Sequence, residues 1–115
     1  MKDLKERTKA FALRIIKLAE ALPKSRTSNV IGHQLLRCGT SVAANYRAVC
    51  RAKSKKDFIA KLGIVEEECD ETIFWMELLS ESDVVPEKRL SDLKLEAEEI
   101  LKIIIASAKT ARSRS

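Results

Sequence analysis

The chain has little with which to turn sharply, holding three glycines and two prolines in 115 residues. A sandwich or barrel of short strands needs a turn roughly every 8–12 residues, so an all-β fold is excluded. The same scarcity excludes a glycine-rich phosphate loop, since three scattered glycines cannot build one. Aromatic residues make up only 4% of the chain. Tyr46 and Phe58 both fall on apolar stripes, which leaves few platforms on which single-stranded bases could stack. His33 is the one histidine. Ser41 and Cys38 therefore have no base nearby in sequence, and no pair of Glu-x-x-His motifs exists to hold a di-iron centre in a bundle. The three cysteines, Cys38, Cys50 and Cys69, are odd in number and lack CxxC spacing, so reduced core thiols are expected rather than a disulfide framework or metal site. No apolar run approaches the ~20 residues of a membrane-spanning helix, and no basic-then-apolar leader opens the chain. A soluble cytoplasmic protein is expected, with no enzymatic activity, metal or cofactor.

What remains is rich in Ala, Leu, Ile, Glu and Lys, the composition of helices. At this length the expectation is one domain, residues 1–115. The first helix is predicted over about residues 3–22, with Leu4, Phe11, Ile15, Leu18 and Leu22 on one face and Pro23 closing it. Thr27 or Ser28 is the predicted cap of a second helix over about residues 28–52, whose stripe is Ile31, Leu35, Cys38, Val42, Tyr46 and Val49. Its other side carries His33, Arg37, Thr40, Ala44, Arg47, Ala48 and Arg51, so a close neighbour there meets short side chains with guanidinium groups between them. Gly39 lies inside this helix, either because another backbone comes close or as a tolerated glycine.

Ser54-Lys55-Lys56-Asp57 reads as a helix start in which Ser54 accepts from a backbone N–H and Asp57 reaches back. The third helix, about residues 54–80, has Phe58, Leu62, Val65, Cys69, Thr72, Met76 and Leu79 in strict four-three alternation, a bundle seam. Pro86 near the first turn begins a fourth helix over about residues 86–110, presenting Leu90, Leu93, Ala97, Ile100, Leu101, Ile104 and Ala108. Residues 109–115 read as a fraying basic tail. Four helices of about 20–25 residues with short connections predict an all-α, up-down-up-down antiparallel four-helix bundle.

Charge is uneven along this plan. Residues 47–61 hold six basic side chains and one acid, whereas residues 66–83 hold eight acids and no base. Carboxylates at Glu67, Asp70 and Glu71 could share a metal by spacing, but a solvated face, or ion pairs with the second helix, accounts for them better; a hairpin near Lys53 puts Arg37 opposite Asp70 or Glu71. The basic stretch has the charge density that phosphates require, and Arg47 and Arg51 have the planar fork suited to phosphate or carboxylate. Arg47, Arg51, Lys53, Lys55 and Lys56 are thus the candidate nucleic-acid contacts. The alternative is a protein-interaction scaffold in which those arginines hold subunits or a partner protein. Leu13, Ile16, Phe74, Leu95 and Ile103 are more off-face apolar bulk than one bundle uses, which predicts self-association. Gly39, Thr40, Ala44, Phe74 and Ile103 are the candidate oligomer contacts.

In order along the chain, Gln34-x-x-Arg37-x-x-Thr40-Ser41-x-x-Ala44-Asn45-Tyr46-Arg47-Ala48, then Arg51-Ala52-x-Ser54-x-x-Asp57-Phe58-Ile59-x-Lys61-Leu62, then Glu66-Glu67-x-x-Asp70-Glu71-x-x-x-Trp75 resemble the 23S ribosomal RNA intervening-sequence protein family. Phe11-Ala12 and Leu22-Pro23 extend the resemblance over nearly the whole chain. Many members carry Asn-Ile-x-Glu-Gly where this chain has Asn45-Tyr46-Arg47-Ala48-Val49, so it resembles an Asn-Tyr-Arg-Ala branch. The resemblance implies a left-handed bundle assembled as a ring-like homopentamer, and no enzymatic activity. Related accessory variability determinant proteins of diversity-generating retroelements engage nucleic acid and a reverse transcriptase through a basic surface, which makes those the implied partners here.

Overall fold

The first three helices start where a short polar side chain accepts a backbone N–H. A computed structural model describes residues 3–114 and contains α1 (Leu4–Glu20), α2 (Arg26–Val49), α3 (Lys55–Glu81) and α4 (Glu87–Ser113). Asp3 caps α1 by accepting from the Glu6 N–H at 2.8 Å. Ser54 caps α3 by accepting from the Asp57 N–H at 3.0 Å, while the Asp57 carboxylate reaches back to the Lys53 N–H at 3.0 Å. The cap of α2 is Ser25, not Thr27 or Ser28. Ser25 is extended (φ −158°, ψ 165°), and its hydroxyl accepts from the Ser28 N–H at 3.1 Å. Thr27 and Ser28 are one turn inside the helix, and the buried Ser28 hydroxyl has no hydrogen-bond partner among the described residues.

The ends are as local as the starts. After α3 the chain closes a two-bond cap, Val84 N–H to the Leu79 carbonyl at 3.0 Å and Asp83 N–H to the Ser80 carbonyl at 3.1 Å. Asp83 takes the left-handed conformation (φ 61°) that this motif requires and that aspartate tolerates. Pro86 stands immediately before α4 as its cap residue rather than within the first turn. The predicted fraying tail is a correction: α4 runs on to Ser113, so residues 109–113 are helical. Alanine at 106, 108 and 111 favours helix there, and buried Ala108 keeps the last turns packed.

The four-three seam of α3 is the centre of the core. Leu62, Val65, Cys69, Thr72, Met76 and Leu79 are all buried, with Phe58 half-buried at its start. Leu35, Cys38 and Val42 from α2, Phe11 and Ile15 from α1, and Leu90, Ala97, Ile100 and Ile104 from α4 complete it. Each fully buried Leu, Ile or Phe contributes about 1.5–3 kcal/mol by leaving water. Burial pushes the Cys69 thiol pKa up to about 12, with the Asp70 charge adding to the rise; the thiol lies 3.2 Å from the Ala97 carbonyl. Cys38 and Cys69 are core groups, as their stripes predict; Cys50, expected as a core thiol with them, is exposed just past the end of α2 instead.

Neighbouring helices pair with residue numbers rising on one as they fall on the other. On α1 and α2, Ile15 meets Gly39 and Leu22, just past α1, meets Gly32. On α3 and α4, Cys69 meets Ala97 and Glu77 meets Lys94. Chain neighbours pack along long seams, α1 and α4 meet over a much smaller one, and the backbones of the diagonal pairs do not approach closely. Arg7 bridges that small seam, holding Glu96 with two 2.8 Å hydrogen bonds and Glu99 at 2.9 Å. The result is a rod of 50 × 23 × 20 Å. Among the described residues no helix is long and apolar enough to cross a membrane.

Candidate nucleic-acid interface

The basic corner is built by the stop of α2 and the start of α3. Past Val49 the backbone winds on for one turn, with Arg51 N–H to the Ala48 carbonyl and Ala52 N–H to the Val49 carbonyl, both at 3.0 Å. That turn keeps Arg51 above Arg47. Ala44 and Ala48 leave the surface low between them, and the result is a shallow groove of about 520 Å³ lined by Ala44, Arg47, Ala48, Arg51, Lys53 and Lys61.

Asp57 is the one acid in this stretch, and its carboxylate is fully engaged. Besides the Lys53 N–H it accepts from Lys61 Nζ at 2.5 Å. The Lys61 and Lys53 hydrogen bonds hold its carboxyl pKa below the ordinary range. Lys61 is therefore ion-paired, whereas Arg47, Arg51, Lys53, Lys55 and Lys56 are exposed and make no ion pair among the described residues. Of those five, Arg47, Arg51 and Lys53 share the groove; Lys55 and Lys56 lie outside it on the first turn of α3.

Arg37, on the same helix as Arg47, is held differently. Its guanidinium reaches Glu71, Glu68 at 3.4 Å and Gln34 at 3.0 Å, and Glu71 also accepts from the Trp75 indole at 3.1 Å. The predicted opposition of Arg37 and Glu71 is present, so Arg37 is a partner of α3 acids. Among the described residues no three His, Cys, Asp or Glu side chains converge to hold a metal ion.

The candidate oligomer contacts do not form one patch. Gly39 is buried inside the protomer, where a Cβ would come within 2.7 Å of Ile15. Its role is the approach of α1 to α2, which removes it from any surface a second copy could touch. Thr40 turns its hydroxyl to the Leu36 carbonyl. Ala44 floors the basic groove, and Ile103 lines a different one beside Phe58. Phe74 is 47% exposed, edge-on to Trp75 with ring centroids 5.1 Å apart. Leu13, Ile16 and Leu95 are exposed too, joined by Val30, Ile64 and Ile105, which the apolar stripes do not include.

Sequence reasoning also misses the setting of Arg114. It lines a groove with Phe58, Ile103, Ala106, Ser107, Thr110 and Ala111, at the same end of the rod as the basic corner. Extending the fourth helical stripe past residue 108 is the signal that finds it.

Fold and surface together define a four-helix bundle with a cationic groove at one end. The chain belongs to the 23S rRNA-intervening sequence protein family, whose model it matches over residues 2–106. It is also similar to a solved structure, that of a protein of unknown function from the S23 ribosomal protein family of Bacteroides thetaiotaomicron VPI-5482. The two are 34% identical with a TM-score of 0.87, over 93% of this chain and 99% of that one. Comparison with curated proteins gives no match.

Proposed function

We propose that this protein is a non-enzymatic, cytoplasmic, homo-oligomeric bundle whose basic end binds structured RNA or other nucleic acid through phosphates. The observation that carries this reading is the set of five exposed cations at one corner, none of them ion-paired among the described residues, with the acid of that stretch already engaged by Lys61 and the Lys53 N–H. Arg47 and Arg51, one turn apart, suit bidentate phosphate contacts. An RNA ligand is in keeping with the ribosomal RNA of the family's name. The up-down-up-down, left-handed bundle in a ring-like homopentamer belongs to the same proposal, supported by the apolar side chains left outside the core at Leu13, Phe74 and Leu95. Assembly would multiply weak contacts through avidity.

A second reading has the same arginines hold a neighbouring subunit or a partner protein such as a reverse transcriptase. It is favoured by Glu67 and Asp70, which are exposed on α3 and offer a complementary charge.

The test is binding of a structured RNA across a salt series, beside an Arg47→Ala, Arg51→Ala variant of unchanged assembly. Affinity that falls steeply with salt, and a variant with a smaller salt slope, is the expected result. No binding by either protein at low salt would sink the nucleic-acid reading and leave the second.

A further inference from the structure

We infer that the nucleic-acid surface has two arms, the second being the C-terminal turn of α4 with Lys109, Arg112 and Arg114. This rests on the nucleic-acid reading above and extends it to residues on a different helix.

Sequence distance hides the relationship, since nearly sixty residues separate Lys55 from Arg112. The fold removes that separation. Cys69 pairs with Ala97 and Phe58 shares a groove with Arg114, so the end of α4 lies beside the start of α3. Lys55 is one turn from Phe58, and Lys53 in turn lines the groove with Arg47 and Arg51. Because α4 is helical to Ser113, Lys109 and Arg112 stand on a rigid element.

Charge points the same way. No acid follows Glu99 in the chain, and Lys109, Arg112 and Arg114 are exposed with no ion-pair partner among the described residues. A cation in the last turn complements the negative end of the helix dipole. That accounts for Arg112; it does not account for a second cation one turn earlier and a third beyond the helix.

The arms are far enough apart to hold different phosphates. Arg47 sits on α2 with Arg51 just past its end, and Arg112 sits on α4, two helices whose backbones do not approach closely. With neighbouring axes about 8–10 Å apart, the diagonal axes of a square bundle lie about 11–14 Å apart. Phosphates advance by about 3.4 Å along each strand of a B-form DNA duplex and by less in an A-form RNA duplex, so one continuous polyanion of either kind reaches both arms at separate positions. Between them the half-buried Phe58 and Ile103 offer no exposed ring for base stacking, which suits a ligand read by its backbone.

The experiment uses the full chain and an RNA duplex of about 20 base pairs, long enough to span both arms several times over, with binding followed by fluorescence anisotropy across a salt series. Five proteins are compared: wild type, Arg47→Ala with Arg51→Ala, Arg112→Ala with Arg114→Ala, all four alanine changes together, and Arg112→Lys with Arg114→Lys. Circular dichroism and size-exclusion chromatography confirm equal helicity and assembly. The α4 variant is expected to lower the slope of log K against log salt by between about 1 and 2, at about 0.9 for each phosphate no longer neutralised. The quadruple variant is expected to show the sum of the two reductions. Arg112→Lys with Arg114→Lys restores the slope, since charge and not packing against Phe58 is the active property. An unchanged slope in the α4 variant while the α2 variant binds more weakly overturns the second arm and leaves the nucleic-acid reading standing. Absence of binding by wild type overturns both.

Discussion

Gly39 and Ile15 meet so closely that a single methyl group on the glycine would lie 2.7 Å from Cγ2 and 2.9 Å from Cγ1 of the isoleucine. Ile15 is fully buried and cannot swing aside. Gly39→Ala should therefore destabilise the fold, because overpacking costs about 1–3 kcal/mol against a helix-propensity gain of about 1 kcal/mol. Gly63 on α3 has open space where its Cβ would go, so Gly63→Ala should gain about 1 kcal/mol. Urea midpoints at constant m-value check the opposite signs; two shifts of the same sign would contradict the packing argument.

The two serines at the start of α2 separate in the same way. Ser25→Ala removes the hydroxyl that accepts from the Ser28 N–H and should cost about 1 kcal/mol. Ser28→Ala removes a buried hydroxyl that has no partner among the described residues and should be neutral or stabilising. Thermal melts of both variants would reveal a misassigned cap if the order were reversed.

Asp57 couples stability to binding. Its carboxyl pKa is lowered by Lys61 and by the Lys53 N–H, so its contribution is present above the ordinary carboxylate pKa and is lost as pH falls through the lower folded value. Wild type should therefore be more stable than Asp57→Ala at neutral pH, with the two curves converging in acid. The same substitution frees Lys61 and adds one positive charge to the groove. It should bind polyanions more tightly and with a steeper salt slope than wild type, a gain in affinity alongside a loss in stability.

The thiols should count as one and two. Cys50 is exposed, whereas Cys38 and Cys69 are buried, and burial raises both of their pKa values. A thiolate-specific reagent at neutral pH should titrate one group quickly and two more only on unfolding. Mass mapping should place the fast label on Cys50.

Much of this arrangement is legible in the amino-acid sequence, and the reasons differ by residue. The seam from Leu62 to Leu79 is readable because its period is local, and Arg37 against Glu71 follows from hairpin arithmetic once the turn is placed. The α2 cap is harder, since Ser25, Thr27 and Ser28 are all residue types that cap and only the backbone conformation, extended at Ser25 and helical from Arg26, selects among them. Gly39 is ambiguous from sequence because a glycine facing its own neighbour and one facing another subunit look alike. Arg114 is hidden for another reason: its setting depends on how far α4 continues beside α3, a tertiary matter that the basic composition of residues 109–115 disguises as a tail.

The narrow seam between α1 and α4 has a kinetic consequence. Every extensive helix pairing joins elements adjacent along the chain, so each hairpin can form without waiting for a long loop to close. Low contact order of this kind goes with folding on the order of microseconds to milliseconds. The exception is the Arg7 clasp on Glu96, which ties together residues 89 positions apart. Because it joins the most distant residues it should be the last latch to shut, and the α1–α4 seam should open before the three seams between chain neighbours when the native state breathes.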